Sequence, residues 1–332
     1  MSEKEYRVEK DSMGEIKVPF DRHWGAQTQR AIENFTISGM TMPPEFLQAL
    51  GLLKWAVSSA NFDLGLLARD KSEAIGNIAL KIAQGHHLEE FPVDVFQTGS
   101  ATSTNMNINE VIANLASTKN LEIHPNDDVN MGQSSNDVIP TTIHIAASIA
   151  VRSNLLDELN HLQETLENKA ASLADIVKTG RTHLMDAMPV TFGQELRAWA
   201  NQIKAARGQF EETLPKIEQL AIGGTAVGTG VNAHPDLSQK VVALLKQKTG
   251  IEFQSAPDLF KAISSQDVAL ELSSNTRNLA VSLTKISNDL RWMNSGPLAG
   301  LAEISLPMLQ PGSSIMPGKV NPVIPESVAM AA

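Results

Sequence analysis

The segment PGSSIMPGKVNP, Pro311–Pro322, holds three prolines, two glycines, two adjacent serines and one lysine. Proline lacks the backbone donor that helices and ladders need, and glycine admits conformations other residues avoid. Such a stretch is a loop, and a loop of this length in a compact domain is a lid or a binding loop. Its Gly-Lys pair raises phosphate binding. A phosphate loop needs GxxxxGK followed by Ser or Thr, between a strand and a helix. Here five residues separate Gly312 from Gly318, Val320 stands where the magnesium-binding hydroxyl belongs, and no strand-like run precedes. GTGVNA, Gly228–Ala233, matches a dinucleotide fingerprint by letter. The run before it reads as the end of a helix, so that context is absent too.

Three other loops share the chemistry of the first: TGSATSTNMNINE (Thr98–Glu110), MGQSSND (Met131–Asp137) and GRTHLMDAMP (Gly180–Pro189). All are rich in hydroxyls, carboxamides and backbone N–H groups, with few cations. Such donors surround a carboxylate without one counter-charge each. Ser134, Ser135, Asn136 and Asp137 stand just before a long helical run. They are caps or ligands, and the roles are compatible because a helix N-terminus is an anion site. Asn105, Asn107 and Asn109 alternate with Met106 and Ile108 and read as turn structure. His183 lies in a donor-rich loop, whereas His86 and His87 are adjacent and diverge. No HExxH or comparable ligand spacing is present, so no metal or other cofactor is expected.

Long helices must position these loops. Pro140 to Lys178 has no interior Gly or Pro, and Leu155, Leu159, Leu162, Leu166, Leu173 and Ile176 recur at steps that sum to threes and fours. A helix of that length reaches on the order of 50 Å. A second stripe runs through Leu196, Trp199, Ile203, Phe210, Leu214 and Ile217, and a third from Val268 to Met293. Near-heptad spacing predicts a bundle of long helices. The third run carries little charge on any face, which points to burial on most sides and to self-association. GEIKVPF is the best strand candidate. The expectation is a mainly helical protein, with a smaller mixed N-terminal domain at 1–138 and a long-helix bundle domain at 139–332.

The net charge of −10 argues against nucleic acid and anionic membranes as partners. No apolar run approaches the ~20 residues of a membrane span. The charged N-terminus lacks the apolar core of a secretory signal, and there is no cysteine. A cytoplasmic location is expected.

Taken together and in order, the loops closely resemble the fumarase/aspartase superfamily, and most closely the class II fumarases. GSSIMPGKVNP looks like the superfamily's signature loop. TGSATSTNMNINEVIAN, HPNDDVNMGQSSNDVIPT and GRTHLMDAMPVTFGQE look like its other blocks, and KDSMGEIKVPFDRHWGAQTQRAIENF resembles the fumarase N-terminus. The resemblance implies a three-domain helical fold, four subunits pooling their long helices, and active sites built from loops of three subunits. It implies reversible hydration of fumarate to (S)-malate, a tricarboxylic acid cycle reaction, through a stabilised carbanion.

By the same resemblance Ser313 is the base at carbon, acting as an alkoxide. His183 activates the water or hydroxyl, and Glu326 pairs with it. Ser100, Thr102, Ser134, Ser135, Asn136, Thr182, Ser314, Lys319, Val320 and Asn321 fall on substrate-binding positions. His124, Asn126 and Asp127 match a second, peripheral anion site. Some fumarases have an arginine three residues before that histidine, where this chain has Leu121. Superfamily members usually continue past the point where this chain ends, so a truncated chain with an incomplete bundle is expected. The alternatives are an aspartate ammonia-lyase and a non-catalytic relative or inactive fragment.

Overall fold

The computed structural model describes residues 6–332. In chain order its elements are β1 (Tyr6–Asp11), β2 (Gly14–Pro19), α1 (Ala26–Asn34), α2 (Pro44–Asp63), α3 (Arg69–Ala83), α4 (Thr102–Ala116), α5 (Ser135–Ala150) and α6 (Leu156–Ser172). There follow β3 (Val177–Thr182), β4 (Met185–Thr191), α7 (Phe192–Ile217), β5 (Gln219–Leu220), α8 (Leu237–Thr249), β6 (Gln254–Ser255), α9 (Leu259–Ser264), α10 (Asp267–Met293) and α11 (Val323–Ala331). The fold is mainly helical, as expected. GEIKVPF does form a strand, β2, paired antiparallel with β1. Among the described residues no helix is long and apolar enough to cross a membrane.

Two compact units divide the chain. The first comprises the residues up to Ala150 with Leu214–Ala269. It does not follow the expected border at 138/139, for a physical reason. Leu220, Ile222, Leu237, Val241, Val242 and Leu245 are buried in one core with Leu50, Leu53, Val57, Ile75, Ile108 and Ile112. Each such side chain contributes roughly 1.5–3 kcal/mol by burial, so residues 214–269 fold back on the N-terminal helices. α2 is central to this core. It starts at a proline in its first turn and buries residues around most of its circumference, Lys54 among them.

The second unit comprises Val151–Thr213 and Leu270–Ala332. It holds α6 and most of α7 and α10. Trp199, Ile203, Phe210, Leu272, Leu279, Ile286 and Met293 are buried along the two expected stripes. Asn275 donates from Nδ2 to Thr213 Oγ1 at 2.9 Å and to the Gln209 carbonyl at 3.2 Å, fixing the register of α10 against α7. The helix expected over Pro140 to Lys178 starts earlier and ends earlier. α5 begins at Ser135 with Pro140 inside it, a π segment spans Val151–Leu155, and α6 stops at Ser172. Residues 177–191 instead form an antiparallel hairpin.

Candidate active site

In the first unit the N-termini of α4 and α5 are brought together. The Thr102 and Ser135 hydroxyls, one at the start of each helix, hydrogen-bond at 2.8 Å. Ser134 caps α5 reciprocally: its Oγ accepts from the Asn136 N–H at 3.2 Å, and its own N–H donates to Asp137 Oδ1 at 2.9 Å. This is a capping box, a local solution for the otherwise unpaired first-turn donors. Asn136 Nδ2 donates to the Ala226 carbonyl at 2.8 Å. Before α4, Ser100 and Ala101 have left-handed φ of 59° and 45°. That kink turns exposed Ser100 and Thr102 to the surface beside the helix start. Two helix N-termini lined by hydroxyls make a neutral, donor-rich cradle, a chemistry that suits an anion.

Much of Thr98–Glu110 is therefore helix rather than loop. Asn105, Asn107 and Asn109 lie inside α4 and are buried, not in a turn. Asn107 Nδ2 donates to the Glu90 carbonyl at 2.9 Å, and Asn105 Nδ2 to Asn130 Oδ1 at 3.1 Å. They tie elements together inside the unit.

Two buried charges underlie the Ser134 turn. Asp137 Oδ2 accepts from the Gly223 and Thr225 N–H groups at 3.0 and 2.9 Å, joining the start of α5 to the glycine-rich segment after β5. Burial raises the Asp137 carboxyl above its usual range, against these N–H groups and the charge of Lys54. Lys54 is fully buried, and its Nζ donates to Asn130 Oδ1 at 3.1 Å and Gln133 Oε1 at 2.9 Å. Burial pushes its ammonium down to about 7, opposed by the charge of Asp137. The loop motifs gave no sign of Lys54. The signal available was a lone cation in the apolar run ALGLLKWAVSSA.

His124, Asn126 and Asp127 lie on the surface of the same unit at a π segment, Pro125–Val129. His124 Nδ1 accepts from the Asp127 N–H at 3.0 Å, and the His124 N–H donates to Asp128 Oδ2 at 2.8 Å. Lys71 pairs with buried Asp128, the residue that follows them, at 2.7 Å. Leu121 is partly buried against the core.

In the second unit Thr182 ends β3 and pairs with Met185, so His183 and Leu184 form a two-residue hairpin loop. Both have left-handed φ, 54° and 65°. Primed hairpin turns require this and favour Asn or Gly, so a His-Leu pair stores roughly 1–2 kcal/mol of strain per residue. The turn places an exposed imidazole at the hairpin tip, and strain of this kind clusters at functional sites. An ion cluster braces the hairpin. Lys178 Nζ lies 2.6 Å from Glu195 and 3.4 Å from Glu303, and Arg181 pairs with Glu303. Burial opposes ionisation of Glu303, but the hydrogen bond from Arg181 and the charges of Lys178 and Arg181 outweigh it, and its carboxyl titrates below the usual range.

From Ser295 to Pro322 the described chain has no regular element. The Gly312 N–H donates to the Lys319 carbonyl at 2.7 Å, and Asn321 Nδ2 donates to the Gly312 carbonyl at 3.2 Å. These two bonds close the loop neck. Position 312 admits only glycine, because a Cβ there would sit 2.8 Å from Asn321 N and Oδ1. Inside the loop, Ser313 Oγ accepts from the Ile315 and Met316 N–H groups at 3.3 and 3.2 Å. Ser314 and Lys319 are exposed, and among the described residues the Lys319 ammonium has no hydrogen-bond or ion-pair partner. Lys319, Val320, Asn321 and Glu326 line an open groove of about 1130 Å³ with Arg291 and Trp292. Among the described residues no hydrogen bond or ion pair joins His183 to Glu326.

Comparison with known proteins agrees with this architecture. The family described as Lyase matches residues 14–332. The chain is 56% identical over 329 residues to a class II fumarate hydratase of Xylella fastidiosa, covering 98% of this chain and 69% of that one. It is 56% identical over 328 residues to the class II fumarate hydratase of Mycobacterium tuberculosis, with the same coverages. The crystal structure of class II fumarase from Schistosoma mansoni superposes with a TM-score of 0.95 at 39% identity, covering 98% of this chain and 73% of that one. The matched span, residues 14–332, covers the segments that carry the donor-rich cradle, the hairpin and the serine loop. The chain belongs to the lyase family that contains the class II fumarate hydratases.

Proposed function

We propose that this protein catalyses the reversible hydration of fumarate to (S)-malate by general acid–base chemistry. The observation that carries the reading is the setting of Ser313. A serine hydroxyl is a very weak acid and serves as a base at carbon only if its alkoxide is stabilised. Two backbone N–H groups of its own turn point at its Oγ, at 3.3 and 3.2 Å, and shortening of these bonds would stabilise an alkoxide there. Free Lys319 follows six residues later and supplies positive charge.

In the dehydration direction Ser313 takes a proton from the methylene carbon of malate, next to the carboxylate farther from the hydroxyl. The electron pair moves into that carboxylate, where Lys319, Asn321, Ser314 and the Val320 backbone receive the charge. His183, paired with Glu326, delivers a proton to the hydroxyl, which leaves as water while the double bond forms. Thr182, Ser100, Thr102, Ser134, Ser135 and Asn136 hold the carboxylates with neutral donors. Hydration runs the same steps in reverse. His183 and Glu326 meet, in this reading, between chains of a homotetramer whose active sites draw loops from three subunits. His124, Asn126 and Asp127 form a peripheral anion site, and the enzyme acts in the cytoplasm.

The test follows fumarate by its ultraviolet absorbance with malate or with aspartate as substrate. Fumarate from malate supports the hydratase. Fumarate from aspartate alone identifies an ammonia-lyase on the same fold, and turnover of neither identifies a non-catalytic relative.

A further inference from the structure

The buried polar cluster around Lys54 lies outside the groups assigned above, yet it leads directly into Ser134. Lys54 Nζ binds both carboxamides that shape the turn, Asn130 at 3.1 Å and Gln133 at 2.9 Å. Gln133 Nε2 then donates to the Val129 and Met131 carbonyls at 3.0 and 3.3 Å, and Asn130 Nδ2 to the Gln133 carbonyl at 3.3 Å. Asn61 Nδ2, from the same helix as Lys54, donates to the Met131 carbonyl at 3.1 Å. One ammonium therefore organises the backbone of residues 129–133 at second hand. An ammonium out of water is unfavourable, and a well-packed apolar side chain of similar volume stabilises a core at least as well. Core stability alone does not account for a lysine here.

We propose that Lys54 is a positioning residue for dicarboxylate binding: it fixes the 129–133 turn so that Ser134, Ser135 and Asn136 present their donors in one geometry. What the turn binds rests on the fumarate reading above; how the turn is held does not. Asp137 completes the device from the other side, pinning the Ser134 N–H and the Gly223–Thr225 segment. A rigid frame of this kind acts on ground-state and transition-state binding alike, since the carboxylates persist throughout the reaction. Its loss therefore raises KM and leaves kcat nearly intact.

The test compares Lys54→Met with wild type in the full chain, by fumarate and malate kinetics and by amide hydrogen exchange. A KM increase of about tenfold with kcat within about threefold is expected for removal of uniform binding. Faster exchange confined to residues 129–136 is expected alongside it. Gln133→Leu, at a position only partly buried, should reproduce the split at smaller amplitude, and it decides the matter if Lys54→Met does not fold. An unchanged KM in either folded variant, a fall in kcat alone, or faster exchange spread evenly over the unit would overturn the proposal. If wild type turns over neither fumarate nor malate, the hydratase reading fails, and the exchange comparison still decides whether Lys54 holds the turn.

Discussion

Around Ser134, the backbone is fixed by a capping box, two buried charges and the carboxamides of Asn61, Asn130 and Gln133. Around Ser313, two hydrogen bonds close the loop neck and most side chains lie in solvent. Both regions are rich in hydroxyls and carboxamides, but one is built into a core and the other is attached to the surface. In the proposed hydratase reading, the difference separates two tasks. A carboxylate cradle gains from being formed in advance, because donors already aimed lose no free energy to reorganisation on binding. The segment that brings a base to carbon gains from being able to close, since closure excludes water and completes the site. Few buried contacts and exposed backbone are the marks of a segment that opens readily.

Substitutions can break this contrast. Ser313→Ala should lower kcat by roughly 10³–10⁴-fold, the upper range for loss of a general base. The melting temperature should hold, because Ser313 Oγ bonds only within its loop; an active variant would remove the serine from the mechanism. Lys319→Ala should lower kcat/KM by roughly 10²–10³-fold, as for loss of one oxyanion donor, again without loss of stability. In the Ser134 region the effects reverse. Asp137→Ala leaves buried Lys54 without its counter-charge and frees three backbone donors, and should cost about 3 kcal/mol in denaturant unfolding. A stability loss at Lys319 comparable to that at Asp137 would erase the distinction between the two regions.

The smallest effect concerns acid. Asp94 accepts from the Phe96, Ser38 and Gly39 N–H groups and the Ser38 hydroxyl at 2.7–2.9 Å, bracing the chain that leads to Ser100. These bonds, that from Phe96 first, lower its carboxyl to about 2 from 3.8. A depressed folded value gives stability that is present above the unfolded value and lost as pH falls through the folded one. Acid titration from pH 4 to pH 2 should therefore loosen the first unit progressively. Asp94→Asn should remove that component of the acid dependence, seen as a flatter unfolding curve across the window.

The sequence made some of this legible and hid the rest for physical reasons. The stripes through Leu196–Ile217 and Val268–Met293 mark α7 and α10 because apolar spacing follows the helical period directly. The loop at Pro311–Pro322 is visible because proline and glycine act locally. The hairpin carrying Thr182 and His183 was missed. VKTGRT and MDAMPVT do not alternate apolar with polar, most of their side chains are exposed, and the brace is an ion cluster with a distant residue, Glu303. The asparagines of α4 read as a turn because their partners, Asn130 and Glu90, lie elsewhere in the chain. Roles for Ser313, His183 and Glu326 came from resemblance to a family, since a serine in a flexible loop does not by itself imply an alkoxide. Lys54 and Asp137 needed the fold, because burial is a property of the packed core.

The most direct measurement is proton NMR of fumarate incubated with the enzyme in deuterium oxide. The account predicts (S)-malate carrying a single deuterium at the methylene carbon, in one stereochemical position, and with Ser313→Ala almost none. Malate absent with wild type, or formed equally by the variant, would contradict it.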